Sequence, residues 1–310
     1  MRIVASNEES ISLAATLLKS GSLVGMPTET VYGIAANALD PQAVRATFSV
    51  KGRPSENPLI VHIASIEQVE EVAEQIPPEA LILAGRFWPG PLTLVLPKSV
   101  IVSAEITGGL PTVAVRMPAH PVARRLIELA GVPLTAPSAN LFMGLSPTTA
   151  QSIDPAVADK LAMILDGGPC NVGIESTVLD LTDAGPAILR PGAVTQQMVE
   201  EALGRLILGA PIAAERKSPG QYTRHYAPST PLRIVECIEG DQPGLAITTA
   251  GSRQIVMPGN AEDYARNLYK SLWEMDRAGF DVIYVEAPPK APEWAAVWDR
   301  LLKASNGSKA

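Results

Sequence analysis

Apolar residues first recur at helical spacing over residues 6–20, where Ile11, Ala14, Ala15 and Leu18 fall on one stripe. Ser6 with Glu9 fits a capping box ahead of that helix, and Gly21 suits its stop. Asp40 and Pro41 mark the start of a short second helix, which runs into the basic turn Lys51-Gly52-Arg53-Pro54. Further helical stretches are predicted at 65–75 and 78–87, parted by Pro77-Pro78, then at 119–130 before Gly131, and near 195–204. Between them lie short apolar runs too brief for helices: 22–26, 59–63, 92–96, 112–116, 134–136, 162–165, 176–181 and 187–190. Helices and strands thus alternate over about 200 residues, the pattern of an α/β domain. Some strands follow one another without a helix, so a mixed, twisted sheet is expected and not an all-parallel one.

The pattern lapses over residues 209–231, GAPIAAERKSPGQYTRHYAPSTP, where Pro and Gly recur and no period holds. This stretch reads as a linker between a first domain, 1–208, and a second, 232–310. It is long enough, and has enough Tyr and basic residues, to be functional itself. The second domain repeats the α/β alternation on a smaller scale, with strands at 232–235, 244–248, 254–257 and 282–285. Its helix at 261–278 is well marked, with Asn260 as cap, Tyr264, Leu268, Leu272 and Met275 on one side, and Gly279 at the end. A last helix starts near Pro292. The module is Rossmann-like, but it lacks G-x-G-x-x-G and receives no dinucleotide.

Composition sharpens this picture in three respects. A chain of 310 residues with 46% hydrophobic and 18% charged residues can bury two cores and is not a disordered segment. A net charge of −7 argues against a main task of gripping nucleic acid, although it leaves room for a local cationic pocket. Cys170 and Cys237 are far apart and form no metal spacing, which fits reduced thiols in the cytoplasm. The first residues, MRIVASNEES, lack the apolar run of a signal peptide, and no apolar stretch reaches membrane length. A cytoplasmic protein without membrane partners is expected.

Walker A, H-E-x-x-H, G-x-S-x-G and the kinase motifs are all absent. The positive signal is a set of polar loops at the ends of buried strands, where open α/β sheets bind ligands. Lys51, Arg53 and Arg190 carry three cations toward such ends and would suit a triphosphate. Ser138, Asn140 and Ser146 sit in loops whose amides can line an anion site. Arg116 ends an apolar strand and needs a partner there, a role a ligand carboxylate would fill. Plainer readings compete: each cation alone is more often a surface residue, and His62 is more often a hydrogen-bonded core histidine. Thr28 and Thr30 fit turn positions, while Tyr222 and Tyr226 suit packing of the linker.

Taken together, PTETVYG, KGRPSENPLIVHI, TVAVRMP, TAPSAN, ESTVLDL, ILRPG and SPGQYTRHYAPSTPL resemble the YrdC-like family, in the family's order and over roughly residues 10–235. The length and tail are similar to the long two-domain form, the threonylcarbamoyl-AMP synthases. The resemblance implies a YrdC-like twisted mixed sheet with helices, plus a smaller C-terminal α/β domain. It implies that L-threonine, bicarbonate and ATP give threonylcarbamoyl-AMP and pyrophosphate, the first step of a tRNA adenosine modification. Thr30, His62, Arg116, Ala136 and Ser176 would surround L-threonine. Arg53, Asn57, Thr112, Ser138, Ser146 and Arg190 would hold ATP, with Lys51 beside the phosphates and Tyr226 closing over the nucleotide as part of a lid. Lys51 and Arg53 would carry the catalytic charge stabilisation. Mg²⁺ would come with ATP without a dedicated protein cage, and the product would pass to a tRNA threonylcarbamoyl transferase machinery. Two other readings belong to the same fold: a double-stranded RNA-binding module, disfavoured by the net charge, and a carbamoyl-transfer domain of the hydrogenase-maturation type, whose cysteine-rich and acylphosphatase-like segments this sequence lacks.

Overall fold

The computed structural model describes residues 3–182, 185–207, 219–220, 222–248 and 251–305. The elements run β1 (Ile3–Ala5), α1 (Glu8–Lys19), β2 (Val24–Met26), β3 (Gly33–Asn37), α2 (Pro41–Lys51), β4 (Ile60–His62), α3 (Glu67–Val72) and α4 (Pro78–Phe87). They continue with β5 (Leu92–Pro97), α5 (Ala104–Thr107), β6 (Thr112–Arg116), α6 (Pro121–Ala130), β7 (Leu134–Thr135), α7 (Pro155–Ala158), β8 (Met163–Asp166), β9 (Thr177–Asp180), β10 (Ala187–Arg190) and α8 (Gln196–Leu203). The second unit holds β11 (Leu232–Val235), β12 (Gly244–Ala246), β13 (Gln254–Val256), α9 (Ala261–Arg277), β14 (Ile283–Glu286) and α10 (Ala295–Ser305).

Ten strands form the large sheet in the order β1-β8-β2-β3-β7-β4-β6-β5-β9-β10. Its pairs are mixed: β4 and β6 run parallel, for example, whereas β5 and β6 run antiparallel. Alternation along the central strands divides two faces. Val61, Ile63, Leu92, Leu94, Leu96, Val113 and Val115 enter the main core, together with Val69 and Val72 of α3, Leu83 of α4 and Val199 of α8. Ile60, Val95, Ala114, Val178 and Leu189 form a small apolar patch on the opposite face. His62, Thr93, Thr112, Arg116 and Ser176 are two residues along from members of that patch, so they share its face. The sheet thereby presents a polar rim around an apolar floor.

The second sheet, β11-β14-β12-β13, is parallel throughout. Its core of Tyr264, Leu268, Leu272, Met275, Ile283, Val285 and Leu301 also takes in Val31, Ile174 and Tyr226, which come from outside that unit. Helix α9 meets the first unit closely: Arg266 Nε donates to Asn171 O at 2.6 Å, and Gly173, at φ +79°, lies directly under Arg266.

Some local expectations change. Asn7, not Ser6, caps α1, in a box with Ser10. The Ser6 hydroxyl donates instead to Asp166 O of β8, a long-range bond that competes with the local cap. Helix α3 stops at Val72 because Ala73 bridges to Lys98 and Glu74 N donates to Pro97 O, which pulls the chain onto the β5 edge. Strand β3, which the apolar runs above leave out, is a five-residue run buried at all but Asn37, and a short helix, α5, forms where the pattern predicts none. Asp40 caps α2 as expected, and Asn260 caps α9. Residues 209–218 and Gln221 of the expected linker lie outside the described residues.

Candidate active site

A cavity opens over the apolar floor, with Ile60 of that floor in its lining. Of the residues singled out in the sequence, Thr28, Thr30, Arg53, His62, Arg116, Ala136, Ser138, Ser176, Arg190 and Tyr226 line it. They come from loops 27–32 and 136–140, from the turn after α2, from the ends of β4, β6 and β10, from the residue before β9, and from the linker. Lys51, Asn57, Thr112 and Ser146 are buried but outside the lining.

At one end, Arg116 is fixed by three groups. Nε donates to Gly90 O, Nη1 donates to Thr30 Oγ1 at 2.9 Å, and Nη2 pairs with Glu29 Oε1 at 2.6 Å. The charge partner that the sequence left to a ligand is thus supplied within the protein by Glu29, whose Oε2 is buried without a partner. The Thr28 hydroxyl donates to Val31 O, so the Thr30 hydroxyl donates to Thr28 Oγ1, at 2.9 Å. His62 Nδ1 is 3.2 Å from Ile60 O. A carbonyl can only accept, so Nδ1 carries the proton and Nε2 is left as an acceptor. Burial, reinforced by the Arg116 charge, depresses the His62 pKa to about 3 and keeps the ring neutral.

At the other end two guanidiniums are buried. Arg53 Nη2 donates to Asn57 O and Pro58 O, while its Nε has no partner. Arg190 Nε donates to Ser176 O, and Nη2 donates to Ser176 Oγ, which also bonds Thr93 Oγ1 at 2.7 Å. Among the described residues, neither Arg53 nor Arg190 is hydrogen-bonded to a carboxylate. Burial lowers the Arg53 pKa to about 10, with Tyr222 and Tyr226 opposing and Arg190 adding to the effect. Asn57 Oδ1 and Nδ2 are both buried and unpartnered. Unpaired buried cations and amides are costly, and such a set is stabilised when an anion with hydrogen-bonding groups enters.

Lys51 is arranged differently from these arginines. Its Nζ donates to Ser138 O, to Asn140 O at 2.8 Å and to Asn140 Oδ1 at 3.1 Å. Its own carbonyl accepts from Phe142 N. All three ammonium hydrogens thus hold the 138–142 loop together. Burial and the Arg53 charge push the Lys51 pKa well below its ordinary value, with Glu175 opposing.

Glu175, on the cavity wall, opens the ESTVLDL run, but nothing in that run marks it as a site residue. Burial opposes its ionisation, but the charges of Arg300 and Arg190 and the hydrogen bonds from Ser146 and Arg300 prevail and hold it at about 2. Ser146 Oγ donates to Oε1, which explains why Ser146 is set back from the cavity. Tyr269 OH and Arg300 Nε both donate to Oε2, each at 2.9 Å. Tyr226, from the linker, has φ +57°, left-handed for a bulky side chain, and its hydroxyl is buried without a partner among the described residues. His225 meets its ring edge to face, with centroids 4.0 Å apart, and Phe142 meets His225 edge to face in turn. No group of three metal-ligating side chains occurs among the described residues, and no helix there is long and apolar enough to cross a membrane.

A family model described as "Telomere recombination", covering Sua5, YciO and YrdC proteins, matches residues 16–192, and one described as "Threonylcarbamoyl-AMP synthase, C-terminal domain" matches residues 194–306. The chain belongs to the threonylcarbamoyl-AMP synthase family. The synthase of Pyrococcus abyssi is 45% identical over 96% of this chain and 94% of that protein. The Bacillus subtilis synthase is 39% identical over 98% and 95%. Among solved structures, P. abyssi Sua5 complexed with L-threonine superposes with a TM-score of 0.89 at 44% identity, covering 98% of this chain and 96% of that one. The family likeness therefore continues through the second unit, beyond the stretch where motifs could be read, and the two-unit α/β architecture is the synthase fold.

Proposed function

We propose that this chain condenses L-threonine, bicarbonate and ATP into L-threonylcarbamoyl-AMP, releasing pyrophosphate and water, as a nucleotidyltransferase. The observation that carries the reading is the pair of buried guanidiniums, Arg53 and Arg190, which lack a carboxylate partner among the described residues and lie on one cavity with the Arg116–Thr30–His62 cluster. One end is built for a polyanion and the other for a small amphoteric molecule. P. abyssi Sua5 has been solved in complex with L-threonine, which supports L-threonine as one ligand.

L-Threonine is assigned to Thr30, His62, Arg116, Ala136 and Ser176. The hydrogens of Arg116 not directed at Gly90, Thr30 and Glu29 meet its carboxylate, and neutral His62 Nε2 accepts from its amine or hydroxyl. ATP is assigned to Arg53, Ser138 and Arg190, with Asn57 and Thr112 buried behind the lining and Tyr226 as cover. The amine takes up CO2 as a carbamate with loss of a proton. A carbamate oxygen then attacks the α-phosphorus, and pyrophosphate leaves with the electron pair of the broken P–O bond. No protein nucleophile is needed. Arg53 and Arg190 offset the charge that grows on the leaving group, and the cavity fixes the two reactants in line. Lys51 and Ser146 act at one remove, through the 138–142 loop and Glu175.

Among the described residues the wall offers no built site for Mg²⁺: the one carboxylate there, Glu175, has both oxygens engaged. The ion is assigned to the ATP phosphates, as part of the substrate. The mixed anhydride product is prone to hydrolysis, so an enzyme that transfers the threonylcarbamoyl group to tRNA must consume it in the same compartment, which we take to be the cytoplasm.

The test is pyrophosphate release with Mg²⁺, comparing L-threonine with other amino acids and with none, with and without bicarbonate. Release that requires both L-threonine and bicarbonate is expected. Release indifferent to either would overturn the reading.

A further inference from the structure

The second unit holds no residue assigned to substrate, yet one of its side chains is among the most deeply buried in the molecule. Arg300, on α10, has 0% of its side chain exposed. It reaches out of its own unit into the wall of the cavity. Nε pairs with Glu175 Oε2 at 2.9 Å, Nη2 donates to Glu175 O at 3.2 Å, and Nη1 donates to Pro191 O at 2.7 Å. Glu175 immediately precedes Ser176, and Pro191 immediately follows Arg190. Arg190 is itself hydrogen-bonded to Ser176 through both the carbonyl and the hydroxyl. One guanidinium thus clamps the outer flanks of the two strand ends that carry the Arg190–Ser176 pair.

The clamp has two supports. Tyr269, on α9, donates to the same Glu175 oxygen, and Asp299 accepts from Arg300 Nη1 at 2.9 Å. It also touches the lid. The Arg300 guanidinium lies 5.0 Å from the Tyr226 ring centroid, in cation–π range, and Tyr226 packs against Tyr269 with centroids 6.0 Å apart. One turn further along α10, Lys303 O accepts from His225 N. Tyr226 is held in a left-handed conformation that a tyrosine does not adopt unaided, so something outside the segment must enforce it.

We propose that Arg300 is a positioning residue, through which the second unit sets the spacing of Arg190 and Ser176 and holds Tyr226 over the cavity. A buried guanidinium is suited to this because its planar fork fixes angles as well as distances. Three acceptors in two separate strand ends, plus one aromatic face, cannot all be satisfied unless the strand ends and the lid stand in one arrangement. The second unit then serves the reaction without contacting the reacting atoms.

The proposal rests on the synthase reading for its kinetic arm only. Arg300→Met, Arg300→Lys and the double variant Glu175→Gln/Arg300→Met are compared with wild type for Tm, for ATP and L-threonine KM and kcat, and for amide exchange at His225 and Ala227. Arg300→Met leaves Glu175 charged and unpaired and is expected to lower Tm; the double variant removes that charge and restores most of it. Positioning requires that the ATP KM of the folded double variant stay raised about tenfold or more, and that His225 and Ala227 exchange at least about tenfold faster than in wild type. Arg300→Lys retains the charge but not the fork, and should recover Tm more than KM. If the double variant regains wild-type KM and exchange together with its Tm, Arg300 is a structural pillar alone and the proposal falls. The exchange measurement needs no substrate, so it stands even if wild type releases no pyrophosphate, an outcome that would fail the function and not the clamp.

Discussion

Arg53→Met separates what a buried cation does for folding from what it does for a ligand. In the folded chain the charged form of Arg53 is disfavoured: burial brings its pKa down to about 10, equivalent to ~3 kcal/mol against the charge. Methionine removes that penalty, to which the repulsion from Arg190 contributes. It also leaves Asn57 O and Pro58 O without their donor, at ~1–1.5 kcal/mol each. The two effects nearly offset, so unfolding in urea should change by no more than ~1 kcal/mol. ATP should suffer far more. Nε–H has no partner, and Nη1 makes no hydrogen bond among the described residues. Two charge-assisted bonds to phosphate at ~1.5–2 kcal/mol each amount to ~3–4 kcal/mol, or ~10²- to 10³-fold in affinity. L-Threonine, assigned to the Arg116 end, should lose less than about threefold. Calorimetric titration of each ligand, with a urea curve on the same protein, measures all three quantities. Equal losses for ATP and L-threonine, or a large loss of stability with ATP affinity kept, would refute the assignment.

Three further outcomes are expected. His62 and His225 have folded pKa values depressed to about 3, in both cases mainly by burial, against 6.5 for the free ring. The unfolded chain therefore binds more protons between about 3 and 6.5, so their contribution is complete above 6.5 and is lost as pH falls. Each should cost ~2 kcal/mol of stability at pH 5, and His225→Gln should flatten the difference between urea curves at pH 7 and pH 5 by that amount. Gly173→Ala puts a Cβ 2.5 Å from the Arg266 backbone at φ +79°, whereas Gly52→Ala at φ +59° meets open space. Denaturation should show ~2–4 kcal/mol lost in the first and ~1 kcal/mol in the second. Lys51→Met strands Ser138 O, Asn140 O and Asn140 Oδ1. It should destabilise by ~2–4 kcal/mol, with faster amide exchange over residues 138–142; unchanged stability would place Lys51 with the ligand and not with the loop.

Much of the site was legible because its residues sit in short polar runs at the ends of apolar strands. Thr30, Arg53, His62, Ser138 and Arg190 could be singled out on that ground, Tyr226 as a linker aromatic, and Ala136 and Ser176 only through the family resemblance; all line one cavity. Their partners could not. Glu29 meets Arg116 across 87 residues, Thr93 meets Ser176 across 83, and Arg300 meets Glu175 across 125. No local period or motif links such pairs, since each depends on which strand lies beside which. Lys51 shows the converse: its charge beside Arg53 reads as one phosphate site, yet the fold turns the ammonium toward carbonyls of a distant loop.

Local chemistry by itself determined the caps at Asp40 and Asn260, the buried stripes of α1 and α9 and the α/β alternation, because these depend on neighbours within a few residues. The strand order and the displaced cap of α1 were decided only by tertiary structure. So was the clamp that joins α10 to the cavity wall. Burial makes any unpaired charge or amide expensive, and the pairing that satisfies it is chosen among residues the chain brings together only when folded.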